Sequence, residues 1–369
     1  MILPSDPKAG YLAHQKEIDE AVGRVLNSGW YILGTEVEQF EKEFAAFIGA
    51  RNAVAVANGT DAVALSLRAL GLQPGDAVLT VSHTAVATVA AIEMGGFQPV
   101  LVDIDPGRYT MCPDSLSKAI ANCGRLAKRL KAIVPVHLYG QPCDMDAILD
   151  IARQNGLLVS EDCSQSHGAA VNGRTTGTLG HAAAFSLYPT KNLGAFGDAG
   201  IITTMDENIG EQLRILRQYG WRERNRSEIP GVNSRLDELQ AAILRVRIRH
   251  LAEMNSARQR IADIYDQGLR GVCTIPFRAK NCTHVFHQYV IRTENRNLLQ
   301  RKLKDAGVGT MIHYPLAVHQ QPAYMERLHE IVSLCTTERV VSEILSLPIY
   351  PELPIVSANR VVDIVSSLI

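Results

Sequence analysis

Residues 76–104 read DAVLTVSHTAVATVAAIEMGGFQPVLVDI. The apolar run DAVLTVS predicts a strand, TAVATVAAIEMG a helix and PVLVDI a second strand. Continuous Val, Ile and Leu runs separated by helices mark strands covered on both faces, and such strands belong to a mostly parallel α/β sheet. The same logic extends in both directions. Upstream, AVAVA (53–57) is a short strand, NGT (58–60) a turn and DAVALSLRALGL (61–72) a helix closing at Gly71. Downstream, KAIVPVHL (131–138), LLVSED (157–162), AAAFSLY (182–188) and AGIITT (199–204) read as further strands, with DMDAILDIARQNG (144–156) as the helix between the first two.

Nearer the start, Ile18, Val22, Val25 and Leu26 are spaced for one buried helix face. A break follows at Asn27-Ser28-Gly29, and a second helix runs from about Glu36 to Phe47. These elements form a large domain at 1–245. The charged, helix-rich segment RLDELQAAILRVRIRHLAEMNSARQRIADIYDQGL leads from it into a smaller α+β domain at 246–369. That domain carries a strand (FHQYVIRT), a helix (RNLLQRKLKDAG) and the loop HYPLAVHQQPAY.

Composition removes several classes of function. The 369 residues hold 37 Lys+Arg against 38 Asp+Glu, a net charge of −1. A surface that binds nucleic acid needs a cationic excess, so none is expected. No run of about 20 apolar residues is present to span a bilayer. The opening MILPSDPKAGYLAHQKEIDEAV has early acidic residues and no apolar core, so no secretory signal is expected and the location expected is cytoplasmic. Seven cysteines, scattered and never C-x-x-C, fit reduced thiols rather than disulfides or a zinc site, and no metal is expected. His14 and His250 read as surface residues.

Three segments carry chemistry. In FSLYPTKNLGAFGDAG (185–200), Lys191 follows an apolar strand and precedes Gly194, Ala195, Gly197, Ala199 and Gly200. Small residues let a flat ligand approach the backbone, and a poorly hydrated lysine can lose its proton and attack a carbonyl. By itself this could be an exposed lysine in a glycine-rich loop. In LLVSEDCSQSHGA (157–169), Asp162 ends a buried strand, where α/β proteins bind ligands. A carboxylate there needs a facing cation. The protonated ring nitrogen of pyridoxal phosphate (PLP) would be one, with Gln165 in reach of the ring hydroxyl. The alternative is a helix N-cap. In the third segment, Asn58-Gly59-Thr60-Asp61 between strand and helix offers backbone N–H groups and a hydroxyl to a phosphate, or is an ordinary turn. No G-x-G-x-x-G or P-loop pattern follows a predicted strand.

Together with PVHLYGQPCDMD (135–146), GVNSRLDELQAAIL (231–244) and HYPLAVHQQPAY (313–324), these motifs resemble the DegT/DnrJ/EryC1/StrS family of sugar aminotransferases. The resemblance implies a fold type I PLP-transferase, with a mostly parallel mixed sheet in the large domain. It implies a homodimer with shared active sites and PLP on Lys191. Asp162 would sit at the pyridine nitrogen, Gln165 at the ring, and Gly59, Thr60 and Ser186 at the phosphate. Asn233 would reach the neighbouring subunit's cofactor, while Tyr188, His313, Tyr314 and His319 would line the sugar site, or as an aromatic and histidine cluster simply pack between the domains. The implied reaction moves an amino group from L-glutamate to a nucleotide-linked keto sugar, a 3-keto-6-deoxy sugar by the wording of HLYGQP and QYGWRER. Arg222, Arg224 and Arg226 could meet a nucleotide diphosphate, or form a solvated loop. Ala85 stands where members carry an aromatic ring that stacks on the cofactor, which leaves His83 or another residue for that task. Members that dehydrate sugars carry histidine at the position of Lys191. Two other readings stay open: a PLP-binding regulator without turnover, and a cyclitol aminotransferase.

Overall fold

The computed structural model describes residues 1–325, 327–328 and 332–369. Its centre is a seven-stranded sheet of β1 (Asn52–Val56), β2 (Ala77–Val81), β3 (Gln98–Val102), β4 (Leu130–Ile133), β5 (Leu158–Asp162), β6 (Ala182–Ser186) and β7 (Gly200–Thr204). Their order in space is β1-β7-β6-β5-β4-β2-β3. β7 runs antiparallel to β1 and β6, and the other neighbours are parallel, so the sheet is mixed and mostly parallel as the sequence predicts. β1, β2 and β7 are buried along their whole length, which explains why their sequences do not alternate. The expected strand KAIVPVHL is shorter than its apolar run. β4 stops at Ile133, and Val136 makes only an isolated bridge to Asp162.

One face of the sheet is covered by helix Gly59–Ala69, whose Leu65 and Leu67 are buried. On the other lie helix Thr35–Ile48 and the first half of helix Glu238–Leu269, which share a core with β1, β6 and β7. Helix Gln15–Ser28 packs outside them through Ile18, Ala21 and Val25 against Ala242, Ile243 and Val246. Leu26, expected on that buried face, is exposed. At 100° per residue it lies about 80° round the helix from Ile18, and Ala21 fills the face instead.

Helix Glu238–Leu269 is continuous over 32 residues. Residue 246, the expected start of the second domain, lies within it. Its Leu244, Ile248 and Leu251 pack under the sheet, while Ile261, Ala262, Tyr265 and Leu269 enter a second core. That core is built on strand Tyr289–Arg292, antiparallel to strand Ile344–Leu347, and on helix Ile355–Leu368. The chain start joins it too, since Ile2 N–H donates to Gly307 O and accepts Gly309 N–H at its own carbonyl. Buried Arg258 ties the helix to the second core by donating to Ile349 O (3.0 Å). Among the described residues no helix is long and apolar enough to cross a membrane.

Candidate active site

β5 and β6 end side by side, with Asp162 opposite Ala184 in register, and the chain leaves each strand into a turn over the same cavity. No helix follows Asp162, so the N-cap alternative is not realised. Its carboxylate is nearly fully buried and has two donors: Thr88 Oγ1 to Oδ2 (2.8 Å) and Ser164 N–H to Oδ1 (3.1 Å). Thr84 Oγ1 lies 2.8 Å from Thr88 Oγ1, one helical turn earlier, extending the chain of hydroxyls. The remaining exposure of Asp162 is toward the cavity, which it lines.

Beyond β6 the backbone folds back on itself. Lys191 N–H donates to Tyr188 O, and Ala195 N–H to Leu187 O. This fold-back needs Gly194, because a Cβ there would sit 2.5 Å from Pro189 O. Lys191 is thereby aimed into the cavity. Burial lowers its pKa to about 8, partly offset by the Asp162 carboxylate, which raises it. At pH 7 roughly a tenth is therefore the free amine, against well under a thousandth for an ordinary lysine, and that is the form that attacks a carbonyl.

The Asn58-Gly59-Thr60 turn closes the same side. Asn58 Oδ1 accepts Asp61 N–H (2.8 Å) and caps helix Gly59–Ala69, leaving its first N–H groups at the cavity. Gly59 is required by contact. A Cβ there would lie 2.6 Å from Ser186 Cβ and 2.9 Å from Ser186 Cα. A helix N-terminus beside two hydroxyls, Thr60 and Ser186, is suited to a phosphate. Ser234 fixes the turn from behind, donating to Asp61 Oδ2 (2.6 Å) and accepting Ala57 N–H (3.0 Å).

The opposite wall comes from the second core. Tyr139 and Gly140 of the HLYG segment dock on it, Val285 N–H donating to Gly140 O and Gln288 N–H to Tyr139 O. Tyr139 in turn donates its N–H to Gln165 Oε1 (2.7 Å) and its hydroxyl to His313 O. Gln165 Nε2 reaches Tyr314 Oη (3.3 Å). His313 Nδ1 is 2.9 Å from Ser346 Oγ. Burial, reinforced by Lys191, lowers the His313 pKa to about 4, and burial likewise drives His287 well below its usual value. Burial is also the main force raising the Tyr314 pKa to about 12. All three side chains face the cavity uncharged at neutral pH.

Gly59, Thr60, Asp162, Gln165, Ser186, Tyr188, Lys191, His313 and Tyr314 thus line one cavity of ≈ 340 Å³. His319 and Asn233 do not line it. His319 is buried behind β2, with Nδ1 on Ser82 Oγ (2.6 Å) and Nε2 3.2 Å from Glu338 Oε1. Asn233 is exposed beside the phosphate-side turn, bridged to Gln218. Ala85 lines the cavity, whereas His83 is buried away from it, edge-on to Tyr109 and Tyr139. Arg222 pairs with Glu228 (3.2 Å) and Arg226 with Glu223 (3.6 Å) on an exposed hairpin. Sequence reasoning missed Thr84, Thr88, Tyr139, His287 and Gln288. The two threonines, four residues apart, are legible as a pair across the start of helix Val86–Met94, Thr84 just before it and Thr88 in its first turn; nothing near His287 or Gln288 marks them.

A family profile matches residues 13–366, that of the DegT/DnrJ/EryC1/StrS aminotransferase family. The chain belongs to this family. It is 44% identical to the dTDP-3-amino-3,4,6-trideoxy-alpha-D-glucose transaminase of Streptomyces venezuelae, over 98% of this chain and 94% of the relative. The solved structure of S. venezuelae DesV matches with TM-score 0.94 and 43% identity, covering 100% of this chain and 97% of that one. NtdA of Bacillus subtilis, solved with bound cofactor PMP, matches with TM-score 0.88 and 32% identity, over 96% of this chain and 82% of its own. This aminotransferase therefore has the fold type I architecture expected from its motifs.

Proposed function

We propose that the protein transfers an amino group from L-glutamate to a nucleotide-linked keto sugar, using PLP held in the cavity between β5 and β6. The observation that carries this reading is the convergence of Lys191, depressed to about 8, and buried, doubly hydrogen-bonded Asp162 on one cavity beside a helix N-terminus. The glycine contact at Gly59 and the hydroxyls of Thr60 and Ser186 fit the phosphate. PLP, when bound, supplies an electron sink for the carbon that loses its proton. Asp162 would hold the proton on the ring nitrogen. Gln165, whose Oε1 is already occupied by Tyr139, directs its amide nitrogen to Tyr314 and would donate its second N–H to the ring hydroxyl of a bound cofactor. Lys191 would hold the cofactor at rest and, as a free amine, would serve as the group that moves a proton to and from the donor Cα.

Tyr188, His313 and Tyr314 face the sugar as neutral hydrogen-bonding groups, and His319 acts indirectly by holding Ser82 at the end of β2. The name of the Streptomyces venezuelae relative favours amination at C3 of a 6-deoxy sugar. The protein works as a homodimer in the cytoplasm, with Asn233 reaching the other subunit's cofactor phosphate. Exposed Trp30, Tyr31 and Ile32, joined to the Asp237–Glu238 corner by backbone bonds, support such an interface. The division of the chain into 1–245 and 246–369 is retained as a proposal, with helix Glu238–Leu269 shared by both parts.

The test is a pair of half-reactions followed by absorbance. Glutamate alone should convert the bound cofactor to its amine form, and a nucleotide-linked 3-keto-6-deoxy sugar should return it. A protein inert to every amino donor would be a regulator instead. Conversion by glutamate with return only by a keto-cyclitol would move the substrate to that class.

A further inference from the structure

Among the described residues, two groups of metal-ligating side chains lie outside the proposed active site, and they differ in whether their ligand atoms are free. The first, His137, Glu161 and Cys163, is completely buried. It is closed by its own hydrogen bonds. Glu161 Oε1 accepts Leu179 and Gly180 N–H, and Oε2 accepts Gly177 N–H and lies 3.0 Å from His137 Nε2. Cys143 N–H donates to His137 Nδ1, so Nε2 carries the ring proton and gives it to Glu161. Burial pushes the Cys163 thiol up to about 12, so it stays protonated. This group pins the 177–180 turn under β5.

The second group is open. His14 sits at the junction between helices Pro7–Ala13 and Gln15–Ser28, Glu17 lies in the first turn of the latter, and His250 projects from helix Glu238–Leu269. One ligand atom from each falls within 4.8 Å of the other two. The two imidazoles are stacked at 4.0 Å between centroids, and His250 Nε2 meets Glu17 Oε1 at 3.2 Å. Arg249 takes the other carboxylate oxygen, Oε2 (3.3 Å), which leaves Oε1 directed at the histidines. No hydrogen bond among the described residues occupies the His14 ring.

We propose that His14, Glu17 and His250 form a binding site for a divalent transition cation of zinc type, clamping the N-terminal helices to the long helix. Two imidazoles and one carboxylate are a recurrent protein ligand set for zinc, with water in the fourth position. Bonds of about 2.0–2.1 Å require the ligand atoms to close to about 3.3 Å, a side-chain movement available to partly exposed residues. The cation takes the place of the hydrogen bond between His250 and Glu17: a neutral His250 ring carries its single proton on Nδ1 and offers Nε2 to the metal, and an imidazolium releases its second proton to solvent. His14 is ready to ligate, because its ring lies beside Glu17 and His250 and has no hydrogen bond among the described residues to give up.

The test is zinc titration of the PLP-loaded protein against a competing chromophoric chelator. A Cys335→Ser background removes the exposed thiol as a rival ligand. The parent should bind one zinc per chain saturably and melt at a higher temperature with zinc than without. His14→Ala and His250→Ala should each weaken that binding at least about tenfold, the size of effect expected for loss of metal support. Glu17→Gln should weaken it as well. The thermal gain should vanish in His14→Ala. If His250→Ala does not fold, the partly exposed His14 and Glu17 variants decide alone. Unchanged affinity in the histidine variants, or no saturable zinc binding by the parent, overturns the proposal.

Discussion

The two walls of the cavity are made in different ways. The wall at the ends of β5 and β6 takes Asp162, Ser186 and Lys191 from two adjacent strands, about thirty residues apart in sequence, and rests on hydrogen bonds internal to the sheet core. The opposite wall brings His287, Gln288, His313 and Tyr314 from a distant part of the chain and depends on the Tyr139–Gly140 turn docking on the second core. The first wall presents the charged groups, Lys191 and Asp162. From the second core come imidazole and phenol groups kept neutral by burial. The difference suggests a division of labour: cofactor chemistry on the strand ends, recognition on the loops. The substitutions that follow would break that division or sharpen it.

Asp162→Asn should have the largest effect. An amide cannot hold the ring-nitrogen proton by charge, so turnover should fall on the order of 10²–10³-fold, as when another preorganised electrostatic group is removed, with a smaller loss of PLP content. The same change has a pH consequence in cofactor-free protein. Burial lowers the Lys191 pKa and Asp162 raises it, with the balance at about 8. Removing the carboxylate should therefore move the titration of Lys191, read by amine-selective labelling against pH, below about 8. An upward shift would mean that the two groups are not coupled as the geometry indicates.

Gly59→Ala comes next. Its Cβ would press on Ser186 Cβ and Cα, and overpacking of this kind costs about 1–3 kcal/mol. Thermal melts should show that loss, and PLP should dissociate more readily because the phosphate-side turn moves. Full PLP retention would place the phosphate elsewhere.

On the second wall the expected effects are smaller and separable. Tyr314→Phe removes the partner of Gln165 Nε2 and should cost about 0.5–1.5 kcal/mol, seen mainly in substrate KM. His319→Ala should lower the melting temperature, because a buried ring and its bond to Ser82 are lost, with little change in KM. A large rise in KM for His319→Ala with an unchanged melting temperature would restore it to the sugar site.

The same contrast explains how far the sequence could be read. Residues 76–104 reveal β2, its helix and β3 because strands buried on both faces leave continuous apolar runs, a signal that needs no knowledge of partners. Asp162 and Lys191 were visible for a related reason: each directly follows such a run. The exit of β4 is hidden in the sequence, since VPVHL continues the apolar text of KAI after the backbone has left the sheet. The spacing of Leu26 points to a face that Ala21 fills, because a small residue carries little hydrophobic signal yet packs closely against Ala242 and Ile243. His287 and Gln288 had no local pattern at all. Their place follows from Gly140, where a Cβ would meet Phe286 N at 2.9 Å, a contact between residues far apart in the chain. His319 and His313 share one motif and look alike in sequence; only the course of the loop separates the one that lines the cavity from the one behind it.

The claim on which the account depends is that Lys191 is the residue that carries the cofactor. Borohydride reduction of the PLP-loaded protein, followed by proteolysis and mass mapping, tests it directly. The account predicts one pyridoxyl group per chain, on the peptide containing Lys191, and none in Lys191→Ala even where that variant still retains PLP. A label on a different lysine, or an equal label in Lys191→Ala, would contradict it.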